Sequence, residues 1–185
     1  MTKRELVDQA KRGDHDAFAA LIRAAAPRLD GAARLILRDP ERAKDAVQDA
    51  LLRAWRDLPG LRDSDRFEAW LHRLLANACY DELRRQRRRI EVHVAELELG
   101  SADDGLADSA TRGDLQAVLA KLDDKYRALI VLHYYLDLSL PEAAKSLDIP
   151  LGTAKWRLHQ SLTLLRQQLS PRSDGGAETA EARPA

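Results

Sequence analysis

Five arginines fall within six positions, Arg84, Arg85, Arg87, Arg88 and Arg89. A run this dense repels itself at ordinary ionic strength unless a polyanion lies close by. The stretch before it is periodic: Arg73, Asn77, Asp81, Arg84 and Arg88 are spaced by 4, 4, 3 and 4 residues and line one stripe of a helix. That stripe presents an amide, a carboxylate and guanidinium groups along the length of the helix. Just upstream, Arg62, Arg66 and Phe67 supply cations and a ring, the parts that hold an unstacked base. Taken alone, the same arginines also fit a solvated basic helix end that complements the helix dipole.

A second cluster lies near the end of the chain. Ser139-Leu140-Pro141-Glu142 has the form of a capping box with proline in the first turn, and opens a short helix through Ala143, Ala144 and Leu147. Asp148 to Gly152 then reads as a turn, with Thr153 able to cap a longer helix whose apolar positions are Ala154, Leu158, Leu162, Leu165 and Leu169. Short helix, tight turn and longer helix is the layout of a helix-turn-helix. The solvent face of the second helix carries Lys155, Trp156, Arg157, His159, Gln160 and Thr163 near its start. Lys155 and Arg157 suit phosphates, while His159 and Gln160 can read bases. Trp156 points about 200° away from Leu158, an exposed aromatic that needs either a partner or a neighbouring loop to cover it.

Residues for covalent or metal chemistry are not grouped. The histidines, His15, His72, His93, His133 and His159, are scattered, and the lone Cys79 reads as a small core residue. There is no glycine-rich phosphate loop, so neither an enzyme nor a cofactor or metal is expected.

The elements that must position these side chains are helices. Charged residues make up 32% of the 185, and glycine and proline are few, at 9 and 7. Ala43, Ala46, Val47, Ala50, Leu51, Ala54, Trp55 and Leu58 recur at helical spacing after Asp39-Pro40, and the other face shows Arg42, Asp45, Gln48, Asp49, Leu52, Arg53 and Arg56. Segments Ala17 to Ala26 and Leu29 to Leu37 offer apolar partners. A further long helix carries Phe67, Trp70, Leu71, Leu74 and Ala78, with Ser64 or Asp65 as its cap. These predict a helical bundle over residues 1–90. The second domain spans 115–170.

Net charge is zero, but the charges are segregated: residues 1–90 carry 20 basic and 15 acidic side chains, and residues 91–114 carry 1 basic and 7 acidic. The acidic stretch contains Gly100 to Gly105 and reads as a flexible linker, and 171–185 as a disordered tail. No apolar run reaches the roughly 20 residues that cross a bilayer, and no apolar stretch follows the basic residues at the N-terminus. A reducing cytoplasm is the expected compartment.

In these motifs the chain resembles the bacterial sigma factors of the extracytoplasmic-function class, over nearly all of residues 1–170. Ala43 to Trp55 is similar to the family's core-binding helix. The resemblance implies that Asp45, Gln48, Asp49, Leu52 and Arg53 meet core RNA polymerase, with contacts to its beta-prime and beta subunits. Phe67 to Arg73, with Asn77 and Asp81 to Arg85, is similar to the segment that melts and captures the minus-ten element as single-stranded DNA. It implies contacts from Arg62, Ser64, Arg66, Phe67, Trp70, Arg73, Asn77, Asp81, Arg84, Arg85 and Arg88. Leu122 to Arg127 and Gly152 to His159 resemble the domain that reads the minus-thirty-five element as a duplex. There Thr153, Lys155, Trp156, Arg157, His159 and Gln160 are implied. The fold implied is all-α, a sigma region 2 bundle and a sigma region 4 helix-turn-helix joined by the acidic linker. An anti-sigma factor is the further partner that the resemblance implies. Trp156 stands where the family usually has a small residue, Gln160 where it often has a basic one, and Leu140-Pro141 where an aromatic or polar entry is usual. These departures bear on the promoter sequence read.

The rival expectation is a stand-alone helix-turn-helix regulator, which would bind duplex DNA as a dimer without polymerase.

Overall fold

A computed structural model describes residues 2–96 and 113–169, and all of their regular structure is helical. The acidic stretch 97–112 and the tail from 170 onward, where the linker and the disordered end were expected, lie outside the described residues.

The first unit comprises α1 (Lys3–Lys11), α2 (His15–Leu37), α3 (Pro40–Asp57) and α4 (Phe67–Glu96). Short polar side chains set the helix starts. Thr2 and Glu5 form a capping box on α1, the Asp14 carboxylate accepts from the N–H groups of Asp16 and Ala17, and Asp39 does the same for Glu41 and Arg42 ahead of Pro40. Ala43, Ala46, Ala50 and Ala54 form a buried seam along α3, small enough for α2 and α4 to approach closely. Leu21, Leu29, Ile36, Leu58, Leu71 and Leu75 fill the space around it.

Three features differ from the sequence-based expectation. Residues 15–37 form one helix rather than two segments, with Pro27 inside it. Proline lacks the N–H for one helical bond, and burial of Leu21 on one side of it and Leu29 on the other carries the helix through. The entry to α4 is a 3-10 turn, Ser64–Arg66, capped by Asp63, whose carboxylate accepts from Asp65 N–H at 3.0 Å. Ser64 is buried and donates its hydroxyl to Asp8 instead of capping. Finally, α4 continues to Glu96, six residues beyond the expected boundary at 90.

The second unit comprises α5 (Gly113–Ala120), α6 (Asp124–Ile130), a π-helical turn (Val131–Tyr135), α7 (Leu140–Ser146) and α8 (Leu151–Leu169). The capping box is present at α7: Ser139 Oγ accepts from Glu142 N–H at 3.4 Å, and Ser139 N–H donates to Glu142 Oε2 at 3.0 Å. Asp148, at φ 52°, makes the reversal between α7 and α8. α8 opens directly after Pro150, whose carbonyl accepts from Ala154 N–H at 3.0 Å, so Thr153 sits within the first turn and not at the cap.

The two units pack on each other. Arg28 of α2 donates to the carbonyl of Tyr135 from Nε at 3.0 Å and Nη2 at 2.6 Å, and pairs with Asp137. Arg38 donates to the carbonyl of Ala120 at 3.2 Å, and Arg127 of α6 reaches the end of α2. His72, 5% exposed, meets the carbonyl of Leu136 through Nδ1 at 2.8 Å.

Candidate nucleic-acid interface

α1 anchors the loop that precedes α4. Lys3 pairs with Glu68, Arg4 Nη1 with Asp65 at 3.1 Å, and Asp8 accepts from Ser64. Arg62 and Arg66 are left exposed on that loop, with Arg66 Nε 3.5 Å from Asp63. Phe67 takes a different place from the one expected. It is 1% exposed, its ring 6.0 Å from that of Trp70, so it supports the loop from the core and presents no surface to a base. Ser64 is buried in the same way, while Trp70 is half-buried.

Along α4, Asn77, Arg84, Arg85, Arg87, Arg88 and Arg89 are exposed, while Arg73 and Asp81 of the stripe are half-buried. Arg84 lies over the ring of Tyr80 at 5.7 Å, which orients its guanidinium, and Arg85 pairs with Glu82 at 3.2 Å. Two members of the stripe are engaged. Arg73 lies 3.7 Å from Glu142 of α7, and Asp81 pairs with Arg53 of α3 at 3.3 Å. Arg53 also holds Asp49 at 2.6 Å. A network therefore joins residues anticipated in separate polymerase-binding and minus-ten surfaces. On the outer face of α3, Asp45 and Gln48 are exposed, and Leu52 is 63% exposed, a large apolar side chain left in solvent.

On α8, Lys155, Trp156 and His159 are exposed, and Thr153, Arg157 and Gln160 are half-buried. Ser161 Oγ donates to the carbonyl of Arg157 at 2.7 Å and Thr163 Oγ1 to that of His159 at 3.0 Å, so both hydroxyls are turned back onto their own helix. Beneath the face, Ala154 is fully buried and Leu158 and Leu162 pack on the core.

Among the described residues no group of histidine, cysteine and acidic side chains could hold a metal, and no helix is long and apolar enough to cross a membrane. Cys79 is buried, and that burial pushes its thiol up to about 12, so it stays a protonated core residue at neutral pH. Sequence reasoning missed α1 and the residues at the seam between the units, Arg28, His72 and Arg127. A signal existed for α1 in Thr2-Lys3-Arg4-Glu5, a capping-box spacing. For Arg127 the signal was its place on the apolar stripe of Ile130 and Val131, three and four residues on.

Residues 21–89 match the family described as sigma-70 region 2, and residues 112–165 that described as sigma-70, region 4. The chain is 31% identical over 182 residues to the ECF RNA polymerase sigma factor SigW of Bacillus subtilis, covering 91% of this chain and 97% of that protein. It is 33% identical to the RNA polymerase sigma-E factor of Streptomyces avermitilis, covering 84% and 86%. Among solved structures, CnrH in complex with the cytosolic domain of CnrY aligns at a TM-score of 0.61 with 30% identity, over 92% of this chain and 99% of that one. The sigma factor RpoE of Bartonella quintana, solved with the anti-sigma factor NepR, shares the fold at a TM-score of 0.63 and 24% identity. With both sigma regions in order on one helical chain, each carrying an exposed basic face, the protein belongs to the extracytoplasmic-function sigma factors, which direct RNA polymerase to initiate transcription at promoters.

Proposed function

We propose that three separate faces divide the work of initiation. The outer face of α3, centred on Leu52 with Asp45 and Gln48, docks on core polymerase, and Asp49 and Arg53 hold that face against α4. The exposed stripe Asn77, Arg84, Arg85 and Arg88, with Arg62 and Arg66 on the loop, receives the melted minus-ten strand, where unstacked bases lie against the loop and the arginines follow the backbone. Trp70 and Arg73 flank that path. Asp81 pairs with Arg53 and so ties the docking face of α3 to this stripe. The start of α8 enters the major groove of the minus-thirty-five duplex with Lys155, Trp156, Arg157, His159 and Gln160. The units that end with α4 at Glu96 and begin with α5 at Gly113 are the two DNA-binding units, joined through 97–112, so that the first contact raises the effective concentration for the second. The setting is the cytoplasm.

The observation that carries this reading is the pairing, on one chain, of an exposed arginine-rich helix end with a helix-turn-helix whose second helix is basic. A partner follows by likeness. CnrH is solved with CnrY and RpoE with the anti-sigma factor NepR, and an anti-sigma protein covering the α3 and α8 faces is the corresponding regulator here.

The test is transcription from a genomic DNA pool by purified core polymerase, with and without this protein, mapping start sites. New starts that share two elements at fixed spacing are the expected result. Binding of duplex DNA by the protein alone, with no new starts, overturns the reading in favour of a stand-alone regulator.

A further inference from the structure

The exposed face of α8 is centred on Trp156, which is 55% exposed. At about 100° per residue, Gly152, Thr153, His159, Gln160 and Thr163 all fall within about 60° of it. Gly152 adds no side chain, and nothing lies within 4 Å of where its Cβ would stand. The Thr163 hydroxyl is engaged on its own helix. The indole is open to solvent on this face, and the ring of Tyr126 on α6 braces it from one side, centroids 6.3 Å apart and tilted by 50°. Lys125 Nζ lies 5.0 Å from the centre of that tyrosine ring. From Ile149 to Leu169 the chain carries Lys155, Arg157 and Arg166 and no carboxylate, so the face suits a polyanion.

An indole offers an apolar surface and one N–H donor, and it has no acceptor. In the major groove, thymine sets a methyl group beside an acceptor oxygen. Cytosine and adenine each present a donor that indole cannot satisfy, and guanine presents acceptors without an apolar group. We infer that Trp156, braced by Tyr126, is a specificity-determining residue that reads the methyl edge of a thymine in the minus-thirty-five duplex. This rests on the proposal that α8 enters that duplex. The bracing matters because a ring already held in place loses little conformational freedom on binding.

The experiment uses holoenzyme assembled from core polymerase and the full chain, on a promoter mapped as above. Each thymine of the upstream element is replaced in turn by deoxyuridine, on either strand, which removes the methyl group alone. One position is expected to weaken binding about fourfold, the effect of one buried methyl. Trp156→Ala should bind the thymine and uracil promoters alike, while Trp156→Phe, which keeps an apolar ring, should retain the difference. Wild-type holoenzyme indifferent to every uracil overturns the inference, as does a uracil effect of the same size in Trp156→Ala. Scrambling the whole element separates the two levels of the reading. Loss of binding on scrambling without any uracil effect leaves α8 as the reader and removes only the thymine assignment. No loss on scrambling removes both.

Discussion

Arg127 donates to a single carbonyl oxygen, that of Ile36, from Nε at 3.1 Å and from Nη2 at 3.0 Å, across 91 residues of chain. Ile36 lies in the last turn of α2, and its helical partner would be the N–H of residue 40, which is a proline. The guanidinium of α6 thus supplies the donor that Pro40 lacks. Its Nη1 also gives to the Leu122 carbonyl at 2.7 Å, and Asp124 pairs with it. Burial, at 2% exposure, lowers the guanidinium pKa and Asp124 raises it in part.

Removing this group leaves two buried carbonyls and one carboxylate short of a partner. Arg127→Ala should lose about 3 kcal/mol in urea unfolding. Arg127→Lys should recover less than half, since one ammonium cannot reproduce the fork. An alanine variant within about 0.5 kcal/mol of wild type would show the contact to be dispensable.

Gly31 and Tyr135 form a second point of closure. A Cβ at Gly31, which is buried, would collide with the Tyr135 hydroxyl. Gly31→Ala should therefore part the two units, lowering energy transfer between dyes placed at Lys44→Cys and Lys145→Cys. In a Tyr135→Ala background the same change should stop parting them and should gain up to about 1 kcal/mol from helix propensity.

His72 gives the seam a pH dependence. Desolvation is the largest influence and lowers its pKa, the hydrogen bond to Leu136 raises it, Arg28 lowers it further, and Glu68 and Asp137 raise it. The unfolded chain, with a histidine near about 6.5, then binds more protons than the folded one as the solution acidifies. Stability from this group is complete above about pH 6.5 and is lost as the pH falls below it. Melting temperatures at pH 7.5 and 5.5 should differ more for wild type than for His72→Gln.

Leu52 separates docking from stability. At 63% exposure it contributes little to the fold, so Leu52→Asp should change unfolding by no more than about 0.5 kcal/mol. Its affinity for core polymerase should fall by more than about tenfold. Equal binding of the variant and wild type in a pull-down titration would remove α3 from the docking face.

Arg84 and Arg88 should act through phosphates. Each change to alanine should reduce the slope of log affinity against log salt by about 0.7 for a single-stranded minus-ten template bound by holoenzyme. An unchanged slope would make these arginines solvated bystanders.

The helices and both basic faces were legible in the sequence because they are local. The alanine seam of α3, the capping box at Ser139 and the arginine run at the end of the Asn77 stripe each depend on residues within a few turns of one another. The same locality made α1 readable from Thr2 and Glu5, though the pattern is short enough to pass over. What the tertiary structure decided is which of those polar residues remain available. Phe67 and Ser64 have the types of a DNA contact, yet packing from α1 and the first-unit core draws both inward. Asp81 belongs to the α4 stripe by spacing, and only the approach of α3 turns it toward Arg53. Arg127 reads as surface charge until α2 ends at Leu37 and Pro40, with no N–H to give, leaves the Ile36 carbonyl for it to meet. Periodicity records which residues share a face of one helix. Which face meets which, and which charge is neutralised there, depends on contacts between residues tens of positions apart that leave no local pattern.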